Sequence, residues 1–437
     1  MLFFARRGRL PLKLRFLFAV LLFTNGFNAL RAQSFAVTPS RVLSDESATI
    51  RAAGLKPNEQ ITLRAELVDG ASHHWESHSE FVADAQGTVD SSLQAPVKGS
   101  YEDVSAMGLV WSMKPSEKNV ATYQAPRDLG AQIIDFQLIR NTNQTLSAQL
   151  EQLSVADGVR QIKVEGQLHG VLFLPASDGP HPGVLVVGGS EGGVPRQRGA
   201  WLASHGYAAL ALAYFRYEDL PPDLAAIPLE YFGSALTWMM QRPEILRDRI
   251  AVLGISRGGE LALQLGSMYP EIKAVVAYVP ANVRHPACCG STRVPYAWTW
   301  HGEPLAYVTQ RALRNPAAAM MSHAQIAVER THGPILLISG EDDGVWESSA
   351  MANAAVSQLK SAHFSFPVEH LNYPHAGHRA GRPEIVPAWG DKAIQPVSGR
   401  EMNMGGTPAG NAKSSLDAIP KVLEFLRQSL APAAPLK

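Results

Sequence analysis

Short runs of alternating apolar and polar residues fill the chain from Phe35 to about Val155. "ATIRAAG" is followed by "LKPNEQ", then "ITLRAELVDG", then "FVADAQGTVD". Alternation with a period of two places one face of each run inward, and the Gly, Pro, Asn and Asp between them supply turns. Strands of this length and spacing predict an all-β sandwich of about 100 residues, Ig-like in shape.

Beyond Ala156 the pattern changes. "RQIKVEGQLHGVLFLP" still alternates, but "GVLVVGGSEGG" is a continuous apolar strand that runs into a glycine-rich loop. "RGAWLASHG" reads as a helix and "YAALALAYF" as a strand; "LEYFGSALTWMMQRP" is helical. "IAVLGI" and "IKAVVAYVP" are strands on either side of the helix "GELALQLGSMY". "PILLISG" and "FPVEHLNYP" are the last strands, and "LDAIPKVLEFLRQSL" closes the chain as an amphipathic helix. Uninterrupted apolar strands alternating with helices imply a mostly parallel sheet covered on both faces. The expected organisation is a leader, residues 1–32; a β-sandwich domain, residues 33–155; and an α/β hydrolase domain, residues 156–437.

Composition narrows the function classes. Of 437 residues, 39 are Lys or Arg and 39 are Asp or Glu, so the net charge is zero. No basic block points to nucleic acid. At the N-terminus Arg6, Arg7, Arg9, Lys13 and Arg15 precede the apolar run Phe16 to Phe23. Such a run fits a secretory signal, because a spanning helix needs about 20 apolar residues. Cleavage after Ala32 would leave an exported chain, periplasmic or secreted, with no membrane span; an uncleaved segment would anchor it. The only cysteines, Cys288 and Cys289, are adjacent. They cannot staple distant segments, which excludes a disulfide framework and leaves free thiols or a vicinal bridge.

The candidate chemistry centres on Gly254-Ile255-Ser256-Arg257-Gly258. In G-x-S-x-G a strand turns sharply into a helix and exposes the serine hydroxyl above the sheet. A serine needs a base, and the base needs an acid that fixes its tautomer. The strand "ILLISG" runs into Glu341-Asp342-Asp343, and "VEHLNYP" runs into His375-Ala376-Gly377-His378. Both loops leave the carboxyl ends of strands, where ligands sit in such sheets. Asp343, three residues past Gly340, is the expected acid. His378 is the expected base, with His375 the alternative. The backbone N–H of Arg257 is the first expected oxyanion donor. The N–H of Ser190, in the loop Gly188 to Gly193, is the second. His73 and His74 in the β domain read as surface residues.

These residues resemble the acyl-CoA thioesterase and bile acid-CoA:amino acid N-acyltransferase family over nearly the whole chain after the leader. "LKPNEQITLRAELVD" and "GSYEDVSAMGLVWSMKP" look like its N-terminal segments. "HPGVLVVGGSEGG", "ALALAYFRYEDLPP", "GISRGGELAL", "GEDDGVWESS", "YPHAGH" and "MGGTP" followed by "DAIPKVLEFL" look similar in order and spacing. The resemblance implies a triad of Ser256, Asp343 and His378 that hydrolyses fatty acyl-CoA with no metal or organic cofactor. The amino-acid-conjugating branch uses cysteine as nucleophile, so Ser256 favours water as acceptor. Three rivals stand beside this reading. They are an exported carboxylesterase or lipase-like enzyme acting on oxygen esters, a serine peptidase, and a non-catalytic scaffold. The stretch "CCGSTRVPYAWTWHGEPL" is either a lid whose Trp298 and Trp300 line an acyl pocket or an insertion packed on the core. The leader reading is checked by mass spectrometry of the protein recovered from its host, where the expected mature chain begins at Gln33.

Overall fold

The computed structural model describes residues 33–140, 145–290, 293–309 and 323–432. The leader, residues 1–32, lies outside the described residues. Among them, no helix is long and apolar enough to cross a membrane.

The first domain is a β-sandwich. Ser34–Thr38, Thr49–Ala53 and Val89–Asp90 form a three-stranded sheet. A larger sheet faces it, with Gln60–Val68 at its centre between Gln132–Arg140 and His74–Val82. In Gln60–Val68 and His74–Val82 burial alternates residue by residue, which is the period-two pattern seen in the sequence. The inward faces bring Trp75, Phe81, Ile134 and Phe136 together in one core. His73 turns back to Asp69 at 3.2 Å, and His74 is exposed.

The second domain is built on an eight-stranded sheet. At one edge His169–Leu174 pairs antiparallel with Arg160–Lys163 on one side and with Ala208–Ala213 on the other. From Ala208–Ala213 the sheet continues parallel through His181–Val187, Ile245–Ile255, Ile272–Tyr278, Ile335–Gly340 and Val368–Tyr373. Alternate residues feed two separate cores, one on each face. Leu185 and Val187 join the core under the helices Glu230–Met240 and Ser348–Ser361. Val184 and Val186 join the core under Arg196–Ser204 and Pro408–Ser429. A strand covered on both faces has no polar side, which is why these strands read as continuous apolar runs.

The closing helix starts earlier than the apolar pattern suggests. Thr407 caps it by accepting from the Gly410 N–H at 3.0 Å, and Pro408 occupies its first turn. Its first half is small and polar, so it carries little hydrophobic periodicity to read.

The two domains share buried surface. Ile385, Ala412 and Ile419 of the second domain belong to the core of the sandwich. Asp45, 8 % exposed, accepts from Trp201 Nε1 at 2.9 Å and meets His205 Nε2 at 2.8 Å. Asp45→Ala leaves the buried Trp201 N–H without an acceptor. The expected loss is about 1–3 kcal/mol, read from urea unfolding of the variant against the parent protein.

Candidate active site

The strand Ile245–Ile255 ends at Ser256, and the helix Arg257–Met268 begins directly after it. Ser256 has φ 59° and ψ −121°, a conformation that non-glycine residues rarely adopt. The turn closes this tightly because its flanks lack side chains. A methyl group at Gly254 would collide with the Gly258 carbonyl, and one at Gly258 would strike the carbonyls of Val187 and Gly188. The strand, the helix and the glycine loop therefore meet backbone to backbone around the serine.

Ser256 Oγ lies 2.8 Å from His378 Nε2. His378 Nδ1 lies 2.9 and 2.8 Å from the two carboxylate oxygens of Asp343. A carboxylate only accepts, so Nδ1 carries the proton and Nε2 is left to accept from the serine. The Asp343 side chain is 1 % exposed and that of His378 is 5 % exposed, so both groups work out of bulk water. His375 is elsewhere: its ring is 76 % exposed and pairs with Asp342 at 3.5 Å. Of the two loop histidines, only His378 reaches the serine.

A third segment holds the acid and base loops in register. The Met404 carbonyl accepts from the His378 N–H at 2.7 Å and from the Gly344 N–H at 3.3 Å. Asn411 Oδ1 accepts from the Gly377 N–H at 2.9 Å. Gly405, at φ 66°, bridges to Asp343, and any side chain there would strike the Asp342 carbonyl. The role of Met404, Gly405 and Asn411 was not readable from residue chemistry, because it is played by backbone groups and one amide.

The helix start and the glycine loop adjoin the serine. Arg257 is the first helical residue, so its N–H has no acceptor within the helix. Gly189 faces the serine so closely that a Cβ there would lie 3.3 Å from Ser256 Cβ. Gln395 Nε2 donates to the Ser190 carbonyl at 2.8 Å and fixes the loop at that residue.

The Arg257 side chain turns away from the serine. It is 3 % exposed, and its Nε pairs at 3.0 Å with Glu260, which is fully buried. Glu260 also meets His285 Nδ1 at 2.9 Å and accepts from Trp298 Nε1 at 2.7 Å. Arg257 Nη1 donates to the Pro286 carbonyl at 2.8 Å. Burial pushes the Glu260 carboxyl up, but the Arg257 charge and the His285 and Trp298 contacts outweigh it and hold it below its ordinary range. Trp298 is thus a core residue, 1 % exposed, packed against Tyr214 and Phe232. Trp298 is packed on the core by this network and does not line an open pocket, whereas the half-buried Trp300 lines a surface groove with Glu230 and Tyr269. Cys288 and Cys289 are joined as a vicinal disulfide.

Among the described residues, the ligand-type side chains that cluster are His169, Glu218 and Asp219. Lys163 Nζ already sits 2.7 Å from Glu218, and the Asp219 side chain is 84 % exposed.

Residues 45–166 match the family described as the acyl-CoA thioester hydrolase/BAAT N-terminal region, and residues 227–432 match the BAAT/acyl-CoA thioester hydrolase C terminal. A mouse protein, acyl-coenzyme A thioesterase 6, is 30 % identical over 419 residues, covering 91 % of this chain and 97 % of the relative. This chain belongs to the acyl-CoA thioester hydrolase/BAAT family. The rat mitochondrial acyl-coenzyme A thioesterase 2 is likewise 30 % identical, over 90 % of this chain and 88 % of the relative. Among solved structures, a puromycin-hydrolysing peptidase of Mycobacterium tuberculosis aligns over 86 % of this chain and 54 % of its own, at 14 % identity and TM-score 0.44.

Within this family member, Glu260 was the buried group the sequence analysis missed. Its signal was an acid three residues past Arg257 in an otherwise apolar helix. Glu260→Ala strands the buried Arg257 charge, and the expected cost is about 3–5 kcal/mol by chemical denaturation. The pH dependence has a defined sign. A carboxyl held lower in the fold than its ordinary 4.5 stabilises fully above that value and progressively less as pH falls below it. The gap between parent and Glu260→Ala is therefore expected to narrow in acid.

Proposed function

We propose that this protein is a serine hydrolase that cleaves acyl-CoA thioesters through an acyl-Ser256 intermediate. The reading rests above all on the Ser256–His378–Asp343 chain of hydrogen bonds at a strained strand–helix turn. Family membership supplies the substrate class, since the relatives are named as acyl-CoA thioesterases.

The geometry supports one sequence of steps. Ser256 Oγ gives its proton to His378 Nε2 and attacks the thioester carbonyl carbon. The carbonyl π pair moves to oxygen, which faces the N–H groups of Arg257 and Ser190. The positive end of the helix Arg257–Met268 favours that charge. Asp343 stabilises the imidazolium through Nδ1. The C–S bond then breaks, and the departing sulfur takes the proton from His378. In the second half His378 removes a proton from water, hydroxide attacks the acyl-serine, and Ser256 regains its proton as the free acid leaves. Every proton is carried by His378, and no metal or organic cofactor enters a step.

The basic and apolar N-terminal segment favours a second reading, an exported hydrolase of oxygen esters. It keeps the same triad and changes the leaving group.

The two readings are separated by kcat/KM on a chain-length series of acyl-CoAs against matched oxygen esters of the same acids. The expected result is a preference of at least tenfold for acyl-CoA. Ser256→Ala should lower kcat about a million-fold, and Asp343→Asn about 10⁴-fold. An orders-of-magnitude preference for oxygen esters would overturn the CoA assignment while leaving the triad. Full activity in Ser256→Ala would overturn both.

A further inference from the structure

A cavity of about 190 Å³ lies between the two domains, behind the histidine loop. Trp111 and Tyr123 of the sandwich form one wall. Its charged lining residues are Arg198, Arg379, Arg382 and Glu384, three guanidiniums against one carboxylate. Arg379 directly follows His378, and Asn411, which holds the Gly377 N–H, also lines the space.

Arg379 is only 6 % exposed. Its Nη atoms donate to the carbonyls of Trp389, Gly390 and Lys392 at 2.8–3.0 Å, all neutral acceptors. Its Nε is buried with no hydrogen-bond partner, and the same holds for Nε of the half-buried Arg382. A buried charged donor left unpaired is costly, and two beside each other repel. Nearby acids do not satisfy them. Glu384 and Glu191 act on Arg382, and Asp391 on Arg379, through space only. Glu191 sits 3.8 Å from Arg198 at the edge towards the serine loop. Burial pulls the Arg379 guanidinium down to about 9, so it stays cationic at neutral pH.

We infer that this interdomain cavity is a binding site for a carboxylate, held by the two terminal nitrogens of Arg382, with the charges of Arg379 and Arg198 at its side. Guanidinium edges match a carboxylate in a fork of charge-assisted hydrogen bonds. The volume decides the size class. It is below the roughly 300–1,000 Å³ of ordinary small-molecule sites, which favours a small acid over a nucleotide. That space is enough for a carboxylate with a few methylenes. The carboxylate comes from one of two sources: the far end of an acyl chain whose thioester lies at Ser256, or a free carboxylic acid. The first source rests on the proposed thioesterase reading; the site itself does not.

The test uses the full chain carrying Ser256→Ala, titrated calorimetrically with glutarate, butyrate and inorganic phosphate, alone and with Arg382→Gln. Circular dichroism melting checks that the double variant is folded. Arg382→Lys provides a second variant that keeps the charge but loses the fork. Glutarate binding that weakens at least tenfold in Arg382→Gln, and partly in Arg382→Lys, supports the site. Absent glutarate binding, or binding unchanged in both variants, overturns it. Phosphate binding as tightly as glutarate overturns the carboxylate assignment.

The source is read in the active enzyme from kcat/KM for glutaryl-CoA relative to butyryl-CoA. If Arg382→Gln lowers that ratio at least tenfold, the acyl tail occupies the cavity. If the ratio is unchanged while glutarate binding is lost, the site takes a free acid. Should neither thioester be cleaved, the function reading fails, and the calorimetric arm still decides the site.

Discussion

The turn at Ser256 is the constraint around which the second domain is arranged. A residue held at φ 59° and ψ −121° carries about 1–3 kcal/mol of backbone strain, which persists only where its surroundings leave no alternative. Here the surroundings are backbone. The strand Ile245–Ile255 is hydrogen-bonded on both sides, to His181–Val187 and Ile272–Tyr278, so the serine's entry direction is fixed. The Ser256 N–H donates to the Tyr278 carbonyl at 2.9 Å, and the helix that follows is buried over most of its length. The strain is supported by burial on both sides of the turn.

The acid and the base are held by a different principle. They become a unit because the segment Met404 to Asn411 enters between them and accepts or donates backbone hydrogen bonds to both. That segment then becomes the closing helix. Ala418 and Val422 of the helix pack on the sheet, while Ala412 and Ile419 pack in the sandwich. Among the described residues the sandwich contributes no side chain to the serine, yet it buttresses the helix whose start positions Asp343 and His378. The physical case for a two-domain unit lies in that shared helix.

Much of this was readable from sequence, for identifiable reasons. Ser256, Asp343 and His378 each stand at the end of an apolar strand, and strand ends are local signals. The sandwich strands were readable because one face is wet, which imposes alternation. His378 was the expected base, with His375 left as the alternative because the two sit three residues apart in one loop. The fold separates them by turning His375 outward at φ 59°. Trp298 left two readings open, since a tryptophan in an insertion suits a pocket or a core equally. Its fate depended on Glu260, 38 residues earlier in the chain, which receives the indole N–H. The arginine-lined cavity was invisible for the same reason. Arg198, Arg379 and Arg382 converge only after the helix Arg196–Ser204 and the histidine loop pack against the sandwich.

The buried Glu260 network also decides how the insertion communicates with the site. Arg257 opens the helix directly after the serine, while its guanidinium pairs with Glu260. His285, bonded to Glu260, stacks on Trp346 with ring centroids 4.8 Å apart and planes at 29°. Trp346 in turn meets His378 edge to face, also at 4.8 Å, with planes at 88°. Its indole Nε1 donates to the Val279 carbonyl at 3.2 Å, and its backbone N–H donates to Asp343 at 3.3 Å. Trp346 therefore touches the base, the acid and the residue that anchors the insertion. A contact of this kind limits the rotations open to the His378 ring without adding charge beside it. The chain Glu260–His285–Trp346–His378 thus joins the buried network to the histidine through one aromatic side chain.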